Sequence, residues 1–525
     1  MKIFLRILAI LGVLTLLIIL AAVGLYFYLA PAAPPERVTD ESTIRQLDSG
    51  KVIGFVEDGT DVWLGIPYAA PPVDDLRWRA PQPVSRWIET REALTFGNEC
   101  PQRSGGGVSG NEDCLFVNVW APAGNNKELP VMFWIHGGGN SVGTSSTYNG
   151  ATLSKENELI IVSLNYRLGP LGWFKHSSLA DETTTPADNS GNYGTLDIIM
   201  ALQWVQQNIG TFGGDPNNVT IFGESAGGFD VLTMMASPLA TGLFHRAISQ
   251  SGGLDLTELS EAENYTDEEL PGHRLSAKEI VNNMLINQGA VADRDAAKQH
   301  QDNMMPADIA KALRALTPEE LLGFYSGGFG GMIGNPDIFA DGHVLPVGLT
   351  TTDIFSNTST YTHNAVPVML GTNRDESKLF MAFSDNYVSK TFGMPSGFKN
   401  LAAYNRDSGY SSDSWKIRAV DALADAMQAS GNNQVYTYRF DVDDWRSLGF
   451  ISFKDLLGAA HALEIPFVFG NFPKPLRLIF PGSMQDEFND ISAQMRSYWA
   501  AFAYHGTPGK GQNNAQVEWQ SWDSS

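Results

Sequence analysis

Ser225 lies between glycines in Ile221-Phe222-Gly223-Glu224-Ser225-Ala226-Gly227-Gly228, directly behind a β-type stretch at 218–222. Small flanking residues let a chain turn sharply from strand to helix, which leaves the serine hydroxyl exposed at the top of a sheet. A hydroxyl so placed can attack an acyl carbon. The helix that follows offers backbone N–H groups and positive dipole potential to the oxyanion that then develops. Upstream, His136-Gly137-Gly138-Gly139 follows another apolar stretch, 131–135. Glycines there let further N–H groups approach the same oxygen, because no Cβ stands in the way. Either motif alone arises often by chance. The pair, each at a strand end and in this order, is a specific signal for acyl transfer.

Such a nucleophile needs a base and an acid, which on a strand–turn–helix architecture follow in the order Ser, Asp or Glu, His. Of nine histidines, His136, His176 and His245 lie before the turn or too close behind it, and His273 and His300 lie in a charged, helix-like stretch. His343, His363, His461 and His505 remain. His461 stands in a small-residue loop that runs into an apolar segment, and His505 reads as the end of a helix carrying Trp499. The acid should come just past a strand. Residues 366–371 are such a strand, and Asp375 and Glu376 follow it. Spacing does not choose between them.

The chain resembles the type-B carboxylesterases, the cholinesterase-like family of the α/β-hydrolase superfamily. The resemblance is carried by Leu64-Gly65-Ile66-Pro67-Tyr68-Ala69, Glu112-Asp113-Cys114-Leu115-Phe116, Asn165-Tyr166-Arg167-Leu168-Gly169, Phe212-Gly213-Gly214-Asp215-Pro216 and Phe244-His245-Arg246-Ala247-Ile248-Ser249-Gln250-Ser251-Gly252. It covers roughly residues 50–505. It implies a serine ester hydrolase with Ser225 as nucleophile, His461 as base and Glu376 as acid. The oxyanion donors it implies are the N–H groups of Gly138, Gly139 and Ala226. It also pairs Cys100 with Cys114; closing a loop of about 15 residues contributes ~3 kcal/mol in the chain-entropy model. The family needs no cofactor.

Several positions depart from the family. Asn140 follows the glycines where an aromatic residue is usual, which implies a more polar wall there. Ser377 replaces a common glycine. The loop between Cys100 and Cys114 holds no tryptophan, which argues against a quaternary-ammonium substrate. Two rival readings are a non-catalytic binding or adhesion domain and an amidase or peptidase on the same fold. The intact triad and oxyanion glycines weigh against the first; no residue separates the second.

The elements that must position these residues read as one large α/β domain over 49–525: a mostly parallel twisted sheet with helices on both faces. Stretches 254–310 and 373–413 are polar or charged candidate insertions, which the resemblance implies form a lid and pocket walls. The run 327–334, Gly-Gly-Phe-Gly-Gly-Met-Ile-Gly, follows no strand and reads as a pocket-wall loop rather than a phosphate cradle. Glu224 and Ser251 read as packing or hydrogen-bonding residues beside the site. His461 and Glu464 have i, i+3 spacing, but nothing clusters with them, so no metal is expected.

The first thirty residues differ in kind. Lys2 and Arg6 precede 24 uncharged residues, 7–30. At ~1.5 Å each they can span a hydrocarbon core of about 30 Å, whereas the apolar region of a cleaved signal peptide is only ~7–15 residues long. The reading is a membrane anchor over 1–30, or secretion after cleavage, then a proline-containing stalk over 31–48. The positive-inside rule puts the catalytic domain outside the cytoplasm, where disulfides are permitted. Without Lys2 and Arg6, 33 basic face 58 acidic side chains. That excess argues against nucleic acid or anionic lipid as partners; it could also disfavour anionic substrates, but a solubility adaptation of the surface is the preferred reading. The expected partner is a small-molecule ester, and the sequence does not fix an oligomeric state.

Overall fold

Val131, Phe133 and Ile135 alternate with Met132 and Trp134, and all five are fully buried. A strand with two buried faces belongs inside a sheet covered on both sides. The computed structural model describes residues 36–523 apart from 125–127, 357–360, 392, 449–450, 473 and 478. Its central sheet has nine strands: β1 (Phe55–Glu57), β2 (Thr60–Pro67), β3 (Phe116–Pro122), β4 (Leu129–Ile135), β5 (Ile160–Leu164), β6 (Gly214–Glu224), β7 (Arg246–Gln250), β8 (Val368–Asn373) and β9 (Val435–Phe440). Their order is β9-β8-β7-β6-β4-β5-β3-β2-β1. From β5 to β9 all neighbours are parallel, and β1, β2 and β3 close the far edge antiparallel.

Helices cover both faces. On one side α1 (Tyr193–Asn208), α2 (Ala226–Ala236) and a long helix near the C-terminal third join a core with Val131, Phe133, Ile221, Ala247 and Val368. That long helix runs as α3 (Leu401–Lys416), a π-helical turn (Ile417–Asp421) and α4 (Ala422–Ala429). On the other side α5 (Gln485–His505) packs Trp499, Ala500, Phe502 and Ala503 against Met132, Trp134, Phe222 and Ile248. This is the α/β-hydrolase architecture that the motifs led us to expect.

The insertion after β7 builds its own apolar cluster, in which Ile280, Val281, Leu313 and Leu321 surround Trp78, Leu171 and Phe174. It therefore caps the sheet as a packed body. His300 is helical as expected, within Arg294–Asp302, but His273 lies in a turn, where its Nδ1 accepts the Leu275 N–H.

The N-terminal boundary differs from the expectation of a stalk through residue 48. Thr43 is buried, its hydroxyl accepts the Gly54 N–H and its carbonyl accepts the Trp63 indole. Arg45–Gln46 pairs antiparallel with Lys51–Ile53. A polar threonine buried by pairing leaves no hydrophobic signal, so composition did not reveal that this segment docks on the domain. The anchor expected over 1–30 lies outside the described residues. Among the described residues no helix is long and apolar enough to cross a membrane.

One buried ion pair fixes the chain beside β5. The Arg167 guanidinium forks onto Asp197 of α1, Nε to Oδ2 at 2.8 Å and Nη2 to Oδ1 at 2.7 Å, and the Arg167 N–H adds a third bond. Both side chains are almost fully excluded from solvent. The segment they hold donates the Gly169 N–H to the Asn140 carbonyl at 2.7 Å, so the pair supports the glycine loop of the site. Asp197→Ala leaves a guanidinium buried without its carboxylate and should cost about 3–5 kcal/mol, read from denaturant unfolding. A loss below about 1 kcal/mol would contradict this role.

Candidate active site

β6 ends at Glu224, α2 begins at Ala226, and Ser225 makes the whole turn between them. Its backbone sits at φ 56°, ψ −125°, a strained conformation for a residue with a side chain, worth about 1–3 kcal/mol. The turn is held on both sides: the Ser225 N–H donates to the Gln250 carbonyl at 2.9 Å, and the Phe229 N–H donates to the Ser225 carbonyl at 3.0 Å. Gly223 and Gly227 close it. A Cβ on Gly223 would strike the Gly227 carbonyl, and one on Gly227 would strike the Ile135 carbonyl at the end of β4. That is why the serine is framed by glycines at this spacing.

Three adjacent parallel strands deliver the neighbours from their C-terminal ends, where open α/β sheets place their sites. β7 is followed by Ser251 and β8 by Glu376. Glu376 is fully buried. Its Oε2 accepts from His461 Nδ1 at 2.5 Å, and its Oε1 accepts the Ser251 hydroxyl at 2.5 Å and the Asn373 N–H at 2.7 Å. The structure thus joins Glu376 to His461, and His461 in turn reaches Glu224, the residue before Ser225. Asp375 is engaged otherwise. It pairs with Arg374 at 2.7 Å and Lys378 at 3.2 Å and accepts the Ala459 N–H at 3.0 Å, so it ties down the loop that carries His461. His343, His363 and His505 lie elsewhere: the His363 ring contacts the Ile354 carbonyl, and His505 ends α5.

His461 Nε2 lies 3.1 Å from Glu224 Oε1, and among the described residues it forms no hydrogen bond with Ser225 Oγ. Such bonds often close only when substrate binds. Burial alone would push the imidazole down, but the carboxylates of Glu224 and Glu376 outweigh it and lift its pKa to about 9. Burial lifts Glu224 to about 8. Glu464, also fully buried, accepts from Gln250 Nε2 at 3.0 Å and Asn373 Nδ2 at 2.6 Å, while a second Asn373 bond reaches the Ala460 carbonyl. It is a strut under the His461 loop. Glu224, Ser251 and Glu464 touch the site more closely than the sequence reading allowed. The Glu-Ser dipeptide of the turn and the Gln-Ser-Gly at the end of β7 are the signals available.

The glycine loop after β4 faces Ser225. Gly138 has φ 114° and Gly139 φ 59°, and a Cβ on Gly138 would strike the Val142 carbonyl. The N–H groups of Gly138, Gly139 and Ala226 have no acceptor among the described residues, which leaves them available to an incoming oxygen. Asn140, expected to make the wall beside these glycines more polar, is itself held from behind. It is buried at φ 51°, and its amide donates to Asp337 at 3.1 Å beside the buried Asp230. The glycine-rich run 327–334 folds over this loop. The Ile333 N–H donates to Ser141 Oγ at 3.1 Å and Met332 packs against Gly139. Cys100 and Cys114 form a disulfide, and Gln102 within its loop bonds both the N–H and the carbonyl of Gly143. No metal-binding group of His, Cys, Asp or Glu occurs among the described residues.

A twisted, mainly parallel sheet with a helix-capping serine behind its central strand defines an α/β-hydrolase. Residues 41–399 and 404–525 match the carboxylesterase family, and the chain belongs to it. It is 34% identical to the para-nitrobenzyl esterase of Bacillus subtilis over 90% of this chain and 91% of that protein. It is 32% identical to the fumonisin B1 esterase of Sphingopyxis macrogoltabida over 94% and 87%. Among solved structures a PNB esterase superposes with TM-score 0.68 at 31% identity, covering 92% and 93% of the two chains. A carboxylesterase of Geobacillus stearothermophilus superposes with TM-score 0.65 at 27% identity, covering 92% and 94%. The protein is a carboxylic ester hydrolase.

The geometry sets a pH dependence. An ester hydrolase of this type needs a neutral imidazole to accept a proton, and Glu224 favours the charged one. Glu224→Gln removes that negative charge, lowers the His461 pKa and keeps its ring neutral to lower pH. The acid limb of kcat/KM for a p-nitrophenyl ester should move about one pH unit or more to the acid side. A limb that stays put or moves to alkaline pH would contradict the Glu224–His461 contact.

Proposed function

We propose that Ser225, His461 and Glu376 are the catalytic triad and that the N–H groups of Gly138, Gly139 and Ala226 form the oxyanion hole. As substrate enters, His461 Nε2 accepts the Ser225 proton and Oγ attacks the ester carbonyl. Glu376 holds the ring through Nδ1 and stabilises the imidazolium. The three N–H groups take the negative charge on the former carbonyl oxygen. His461 then protonates the leaving alcohol, and water repeats the sequence on the acyl-enzyme. No step calls for a cofactor. The observation that carries this reading is the 2.5 Å bond between His461 Nδ1 and Glu376, set beside a serine held in a strained turn. A fluorophosphonate probe should label the protein once, on Ser225, and Ser225→Ala should abolish both labelling and turnover. Undiminished labelling of that variant would overturn the assignment.

We also propose that residues 1–30 remain as an anchor and hold the catalytic domain outside the cytoplasm. The support is the 24-residue uncharged run behind Lys2 and Arg6 and a disulfide that suits an oxidising compartment. Alkaline carbonate washing of membranes should leave the enzyme in the pellet. Soluble protein whose N-terminus begins near Ala32 would show cleavage and secretion instead.

A further inference from the structure

A cavity of about 450 Å³ opens beside the nucleophile turn, within the size range of ligand sites. One wall is Phe229, one turn along α2 from Ser225, with Leu254. The opposite wall is a single face of the long helix: Trp415, Arg418, Ala419, Ala422 and Leu423. These positions recur at three- and four-residue spacing, which places them on one stripe. Trp415 links the cavity to the chemistry. Its ring centroid lies 4.9 Å from that of His461, and its indole donates to the Ser251 carbonyl at 3.2 Å.

Four of the five residues on that stripe are apolar, and Arg418 is the exception. Among the described residues it forms no ion pair, and its only side-chain hydrogen bond is a long one, 3.4 Å, to the Ser414 carbonyl. Nearby cations are engaged: Lys416 pairs with Asp421 at 2.6 Å, Arg374 with Asp375 and Asp443, and Arg439 with Asp441. Arg418 therefore faces the cavity with its guanidinium not neutralised by a carboxylate among the described residues. Asp255 also lines the cavity but is not paired with it; it acts on Asp337, on the side of the glycine loop. Arg418 lies within the π-helical turn Ile417–Asp421, a local distortion common at functional sites, and about one helical turn from Trp415.

Resting on the triad reading above, we propose that Arg418 is an anion subsite and that the enzyme favours esters bearing a carboxylate several methylenes from the scissile bond. The chain between them lies along Phe229, Trp415 and Ala419, and the guanidinium fork receives the carboxylate. The chemistry is unchanged: Ser225 Oγ bonds to the acyl carbon, the C–O bond to the alcohol breaks, the alcohol leaves with the His461 proton, and water releases the acid. The acidic surface slows the approach of such an ester but leaves the local contact in place.

The test compares kcat/KM for the ethyl half-esters of adipic, suberic and sebacic acids with their diethyl esters. A second arm places the carboxylate on the alcohol side, as 6-butanoyloxyhexanoate against its methyl ester. In at least one arm the wild type should prefer the anionic ester. Arg418→Ala should lower that anionic-to-neutral ratio about five- to tenfold through KM, Arg418→Glu should lower it further, and Arg418→Lys should restore most of it. A ratio that Arg418→Ala leaves unchanged in both arms overturns the subsite while turnover of the neutral esters upholds the triad reading. Absence of turnover of every ester overturns both.

Discussion

The buried Glu376 carboxylate organises the rest of the site. A charge fully removed from water is tolerated only when its oxygens are paired and hydrogen-bonded. Here they take the His461 ring, the Ser251 hydroxyl and the Asn373 N–H. Each partner comes from a different stretch of chain, so one carboxylate joins the ends of β7 and β8 to the His461 loop. Asn373 passes the link onward to Glu464 and Ala460. The Ser225 turn hangs from the same frame through the Gln250 carbonyl. The histidine is thereby orientated before substrate arrives, which is the condition for electrostatic catalysis by fixed dipoles and charges.

Much of this was legible in the residues. Apolar strands ending in Gly-x-Ser-x-Gly and in His-Gly-Gly-Gly carry their own structural reason, since Gly223, Gly227 and Gly138 stand where a Cβ would collide with backbone. The strand before Asp375 and Glu376 was also visible. The choice between the two acids was not, because adjacent side chains differ in direction and not in spacing. In the fold Asp375 turns to Arg374, Lys378 and the Ala459 N–H, while Glu376 turns inward to the histidine. Only the family resemblance separated them in advance.

Other features stayed hidden for physical reasons. Glu224 and Glu464 are polar residues buried among other polar residues, and no hydropathy pattern marks such a cluster. Asn140 reads as a polar wall residue because it stands where an aromatic one is usual; its amide is committed to Asp337, a partner 197 residues away that no local pattern marks. Thr43 docks the segment before residue 49 through the Gly54 N–H and the Trp63 indole, 11 and 20 residues away. The stretch 373–413 reads as a polar insertion, but the helix that begins within it at Leu401 continues past a π-helical turn at Ile417–Asp421 that no local motif announces.

The proposed role of Glu376 as the orienting acid is tested most directly by the steady-state rates of two paired variants. Glu376→Gln should hold the ring in the wrong tautomer and lower kcat by roughly 10³–10⁴, as the equivalent change does in serine proteases. Asp375→Asn, which loosens only the loop, should cost far less when both variants are folded. The reverse ranking would contradict the account.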